Sequence, residues 1–353
     1  MGVITVNGEI KSKDLGITLV HEHLFLDFRL IFEDSSEVSK KELSEQKINI
    51  ENLHILKKSP YSIKDNLILS SEDLILKELL EFKKAGGKTI VEQTSIGLGR
   101  SPQSIRNVAN LAALNAVMGC GYYVKDSLPE YIIKKSEKDL ISELISEIHY
   151  GVNGTNIRPG IIGELGISND IGDWEKKLLK VASKVQRETG LAISVHIQAV
   201  PTLPGFTGKL PGLKILNILD EYGAILEKVV ICHTDAKIDL KYIKSIMDFG
   251  AYAEFDHVGK EFYIESSDFL MDRDIDRILA LKELVDSNYS KNILISNDVC
   301  LKTDLISYGG FGYGHILNNL VPLMLKKGID REVINTILVS NPRRLLDVGS
   351  SYM

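Results

Sequence analysis

Short apolar runs alternate along this chain with longer amphipathic stretches. Ile17–Val20 leads into the first predicted strand. Further strands are read at Lys88–Gln93, Ala116–Tyr123, Gly160–Glu164, Leu191–His196, Val229–His233, Ala251–Phe255 and Ile293–Ser296. Between them apolar residues recur at helical spacing. That predicts helices over Leu74–Ala85, Pro102–Ala113, Glu137–His149, Trp174–Glu188, Leu213–Tyr222, Leu240–Phe249 and Asp274–Asp286. Two more run from His315 to Lys327 and from Asp330 to Val339. Ser70-Ser-Glu-Asp is a start signal for the first helix, and Gly86-Gly87 stops it. Residues 1–16 read as a hairpin-like lead-in with Asn7-Gly8 as the turn. Residues 29–70, rich in Glu, Lys and Ser, form an insertion after the first strand.

Counting the first strand gives eight strand–helix units. Alternating strands and helices with short connections imply a parallel sheet, and eight of them suggest a closed (β/α)8 TIM barrel. An open doubly wound sheet is the rival, because periodicity does not show closure. No repeat, linker or composition break divides the chain, so residues 1–353 are expected to form one domain.

The strand ends carry the chemistry. His21 and His23 close the first run, and alternation would place both on one face with Glu22 on the other. A lone His-x-His pair is commonly a surface or core feature. Here Glu164, His196, His233 and Asp298 also stand near the ends of apolar runs. In a barrel the C-terminal ends of strands one, four, five, six and eight converge on one rim; in an open sheet they could not all meet. The ligand pattern therefore favours the barrel. Four histidines and two carboxylates exceed what one catalytic zinc takes. They suit two ions, with His21, His23 and Asp298 on one, His196 and His233 on the other, and Glu164 bridging. A hydroxide between the ions would be the nucleophile, since a metal lowers the pKa of bound water from 15.7 to roughly 7.

Composition narrows the classes. Hydrophobic residues make up 44% and charged residues 25%, as in ordinary soluble proteins. A net charge of −6 argues against nucleic acid, and no apolar run suits a membrane span or signal peptide. Cys120, Cys232 and Cys300 lack paired spacing and read as free thiols, so a cytoplasmic location is expected.

Gly16–Leu24, Ile162–Ser168, Thr189–His196, Val229–Asp235, Ile295–Asp298 and Asn341–Leu346 together resemble the phosphotriesterase-related family of the amidohydrolase superfamily. The resemblance spans nearly the whole chain. It implies a binuclear metal hydrolase using the residues that match His21, His23, Glu164, His196, His233 and Asp298. Zinc is the expected ion, with manganese, cobalt or iron as alternatives. The organophosphate-degrading branch bridges its metals with a carboxylated lysine where this chain has Glu164. A glutamate keeps the charge and two oxygens, but the match to phosphotriester cleavage is lost.

The family includes lactonases, some acting on phosphorylated sugar lactones. The resemblance thus implies opening of a small aldono-lactone, with Asp298 passing the proton to the leaving alkoxide. Phosphodiesterase, phosphotriesterase or carboxylesterase activity at the same site is the alternative, and a non-catalytic metal- or metabolite-binding barrel a further one. Lys260 and Lys302, on the loops after strands seven and eight, would hold a phosphate, with Arg273 as a third candidate. Each also reads as an ordinary loop cation. Tyr123 matches an aromatic position near the metals in the family, against a packing role at the rim. His257 is a possible ligand contact, while Arg277 suits a structural ion pair and His54, His149 and His315 read as surface or packing residues. The glycine run Gly309–Gly314 suits a tight turn or lid. The expected partner is a small molecule, and a homo-oligomer is compatible with the sequence.

Overall fold

Eight parallel strands stand side by side in chain order in the computed structural model, which describes residues 2–33, 38–202 and 206–349. The expected domain and its insertion also include residues 1, 34–37, 203–205 and 350–353, which lie outside the described residues. The strands are β1 (Thr18–Glu22), β2 (Thr89–Glu92), β3 (Asn115–Cys120), β4 (Ile161–Ile167), β5 (Ile193–Ile197), β6 (Val229–Ile231), β7 (Tyr252–Phe255) and β8 (Ile293–Ile295). Ladders join each strand to the next from β1 to β8. Side-chain and loop bonds join β8 back to β1: His21 N donates to Ser296 Oγ at 3.0 Å, and Asp298 N to the His21 carbonyl at 3.1 Å. The sheet is therefore nearly closed into a barrel.

Helices α1 (Glu72–Lys84), α2 (Pro102–Ala112), α3 (Glu137–Tyr150), α4 (Asp173–Thr189), α5 (Gly212–Glu221), α6 (Leu240–Asp248) and α7 (Asp274–Asp286) follow β1 to β7 in turn. Each matches a sequence expectation to within two residues at either end. Ser71 caps α1 and Ser136 caps α3, each accepting from the backbone of the first turn. The lead-in hairpin pairs Gly2–Thr5 with Gly8–Lys11, so its two-residue loop is Val6-Asn7, one position before the turn signal. The insertion holds short helices and one strand, Ile68–Leu69, paired with Leu26–Asp27. Among the described residues no helix is long and apolar enough to cross a membrane.

Two apolar layers build the molecule. The larger packs the outer faces of the strands against the helices. The smaller takes Val20, Val91, Val117, Ile161, Val230, Tyr252 and Leu294 from the strands and fills the barrel interior. Strict alternation from Val20 and Ile161 would send His21 and Glu164 outward. Register shifts between Leu19 and Glu22 in β1, and between Ile162 and Leu165 in β4, change that parity. At the second shift Gly163 sits at φ +149°, and a Cβ there would lie 2.6 Å from the Ser194 carbonyl oxygen. Only glycine suits that approach.

Candidate functional site

The six expected ligands meet at the C-terminal rim. His21 Nε2 is 3.5 Å from Glu164 Oε2 and 3.8 Å from Asp298 Oδ1. His23 Nε2 lies 3.5 Å from Glu164 Oε1 and 3.2 Å from Asp298 Oδ1. On the other side, Glu164 Oε2 is 3.3 Å from His196 Nδ1 and 3.6 Å from His233 Nε2. Glu164 thus stands between a His21–His23–Asp298 group and a His196–His233 group. His23 falls just past the end of β1, so it reaches the site from the loop and not by strand alternation.

Neighbours fix which imidazole nitrogen faces inward. His21 Nδ1 is 3.3 Å from Glu254, His23 Nδ1 is 2.8 Å from Thr94 Oγ1, and His233 Nδ1 is 3.0 Å from Asp256. Each contact occupies Nδ1 and leaves the Nε2 lone pair for a cation. His233 and Asp298 hold left-handed backbones, at φ +60° and +48°. Such conformations cost free energy and persist where surrounding bonds impose them. Both Asp256 oxygens accept from the His233 backbone N–H, and the His21 carbonyl accepts from that of Asp298.

A divalent cation fits this donor set. His21 Nε2 and Glu164 Oε2 are buried without a hydrogen-bond partner among the described residues, 3.5 Å apart at the centre of the cluster. Buried polar atoms are rarely left so. Burial alone would lower the pKa of His21, yet Glu254, Glu164 and Asp256 raise it to about 10. Burial would raise that of Glu164, but His196, His233 and His21 hold it well below the carboxylate range. The cluster attracts positive charge.

The remaining expected site residues separate. Tyr123 lines the cavity, its hydroxyl 3.2 Å from His196 Nε2. Lys260 also lines it and is buried, but its ammonium donates to Asp298 Oδ2 and Cys300 Sγ, both at 2.9 Å. Burial would lower the pKa of Lys260, but Asp298, Cys300 and Asp304 together raise it. Lys302 is held by Asp65 at 2.8 Å and does not line the cavity. Arg273 lies at the start of α7, its side chain 63% exposed and bonded to Asp276. The three cations therefore do not assemble at one point. Arg277 is fully buried between Asp235 and Asp274, in the structural pairing its sequence context suggested. His315 is likewise buried against Asp274, at 2.6 Å.

Several site residues were absent from the sequence expectation. Glu254 and Asp256, at i and i+2 in and just after β7, support His21 and His233 as described. Their spacing was the available signal. His257, named only as a possible contact, places Nε2 3.9 Å from Asp298 Oδ2 and Nδ1 3.1 Å from Asp235, which in turn accepts from Arg277 at 2.7 Å. Glu22 accepts from Ser296 Oγ, Asn297 N, Asn297 Nδ2 and Val299 N at 2.8–3.0 Å. It therefore fixes the segment that carries Asp298. The cavity beside the cluster is small, about 50 Å³, with an apolar wall that includes Phe28, Leu98, Phe262 and Met271.

A model of the phosphotriesterase family matches residues 1–346. The chain is 36% identical over 367 residues to an N-acetyltaurine hydrolase of Dictyostelium discoideum, covering 98% of this chain and 97% of that one. It is 37% identical over 348 residues to an N-acetyltaurine hydrolase of Salmo salar, with the same coverage. Among solved structures it is similar to a resiniferatoxin-binding protein from Rhodobacter sphaeroides. That match has a TM-score of 0.92 at 35% identity, covering 98% of this chain and 95% of the other.

Proposed function

This chain belongs to the phosphotriesterase family, a family of metal-dependent hydrolases, and from that membership we propose a two-metal hydrolase of short N-acyl amides whose amine carries an acid. N-acetyltaurine is the model substrate. The observation that carries the metal reading is the buried, unpartnered pair His21 Nε2 and Glu164 Oε2, set among His23, His196, His233 and Asp298.

Two divalent ions held by these six residues would supply carbonyl polarisation and an acidified water. The protein's own groups manage the proton. Asp298 presents Oδ1 to His21 and His23, while its Oδ2 faces Lys260 and His257. A proton taken up at Oδ2 stays on Asp298 until the amine departs, with His257 Nε2 3.9 Å away and its other nitrogen steadied by Asp235. Asp298 is thus placed to give that proton to the departing amine, which leaves readily only when protonated. Lys260 keeps the carboxylate oriented.

Size favours the short acyl group. A cavity of about 50 Å³ is far below the roughly 150 Å³ that holds benzene. An acetyl group suits its enclosed part better than a sugar-lactone ring does. The relatives named N-acetyltaurine hydrolase support the same choice. For a phosphorylated sugar lactone, the class suggested by sequence, the phosphate was expected at Lys260 and Lys302 with Arg273 as a further candidate, and each of these is already bonded to a carboxylate. The test is turnover of zinc- and manganese-loaded protein on N-acetyltaurine, an aldono-lactone and its phosphate. The amide should be the best substrate. A preference for either lactone by tenfold or more would overturn the substrate and leave the metal site intact.

A further inference from the structure

The catalytic cavity is small, about 50 Å³, and open on one side, so the acid-bearing half of an N-acyl amide extends beyond it. A second cavity of about 470 Å³ adjoins it. Lys260 and Phe262 line both, so the two spaces lie on either side of these side chains. The second cavity is built from the insertion after β1, the loop after β7 that carries Lys260, and the segment and glycine-rich loop after β8. Leu53 and Phe311 contribute apolar wall, and His54 and Lys57 also line it. Neither His54 nor Lys57 has a polar partner among the described residues. The acidic groups on the lining are already engaged. Glu261 accepts from the backbone of Asp274 at 2.9 Å, and Asp304 from those of Cys300 and Leu301 at 3.1 and 3.0 Å. Lys57 is the lining cation whose ammonium has no partner among the described residues.

We propose that this second cavity is the binding site for the acid-bearing amine half of the substrate, with Lys57 and His54 attracting its sulfonate or carboxylate. The inference rests on the N-acyl amide reading and adds to it a site, a ligand charge and a purpose for the insertion. An apolar wall beside a cation suits a short aminoalkane acid: the methylenes lie on Leu53 and Phe311, and the acid meets Lys57.

The test uses the full-length, metal-loaded protein and has two readouts. The first is calorimetric binding of taurine, with ethylamine as the probe that lacks the acid. Wild type should bind taurine in preference to ethylamine. Lys57→Glu should weaken taurine about tenfold, the lower end of what a charge-assisted hydrogen bond contributes. Leu53→Trp, which fills the cavity from a half-buried position, should weaken both probes. The second readout is the ratio of kcat/KM for N-acetyltaurine over N-ethylacetamide, which Lys57→Glu should lower by the same factor through KM. Taurine binding no tighter than that of ethylamine, or unaffected by Lys57→Glu, overturns the site. Charge-dependent taurine binding without amide turnover would keep the site and overturn the amide reading instead.

Discussion

The two cavities at the rim are made of different material. The catalytic one rests on the ends of β1, β4, β5, β6 and β8. Its six proposed metal ligands are buried or nearly so, and backbone bonds, neighbouring carboxylates and, at His233 and Asp298, left-handed dihedrals fix their orientation. The second rests largely on an insertion and on loops, and its His54 and Lys57 are exposed and have no side-chain partner among the described residues. The difference separates two tasks. Reacting atoms need tight positioning, which strands supply. Substrate choice tolerates movement, so it can sit on segments that vary without disturbing the barrel.

The contrast predicts graded losses. Glu164→Ala should have the largest effect, because the side chain stands between both ligand groups. Turnover should fall by more than about 10³-fold, beyond the 10–100-fold that outer partners carry, and at least one ion should be lost on metal analysis. Retention of full metal content and turnover would remove the bridge. Asp298→Asn comes next, with kcat reduced about 10²–10⁴-fold and KM changed far less. A loss under tenfold on steady-state kinetics would take Asp298 out of proton transfer. Glu22→Gln should follow, at about 10–100-fold in kcat. The amide keeps an acceptor for Ser296 and Asn297 but opposes its own N–H to that of Val299. An unchanged kcat would show that the Asp298 segment holds itself. Lys302→Ala and Arg273→Ala should be the mildest, within about twofold in kcat/KM, since both pair outside the catalytic cavity. A selective loss on a phosphorylated lactone in either variant would revive a phosphate site.

Legibility in the sequence follows the same division. Strand ends can be read because apolar runs stop where a ligand begins, and the barrel alone brings Ile17–His23, Glu164, His196, His233 and Asp298 to one rim. Residues that only support ligands carry no such mark. Glu254 and Asp256 lie in a strand that ends without a ligand of its own, and Glu22 resembles an outward-facing side chain until β8 closes beside it. The parity changes at His21 and Glu164 are invisible in a pattern that assumes strict alternation. Loop cations were the least readable. Lys302 and Arg273 find partners, Asp65 and Asp276, that depend on where the insertion folds and how α7 begins. Lys57, in a segment that reads as polar filler, is brought to a cavity only by the fold.

The central claim is a hydrolase that needs two ions in one cluster. Protein stripped by a chelator and titrated with zinc, with N-acetyltaurine turnover followed at each addition, tests it most directly. Turnover should be absent at the start and reach a plateau at about two equivalents per chain, the ion number the six ligands imply. Turnover in the stripped protein, or a plateau at one equivalent, would contradict it.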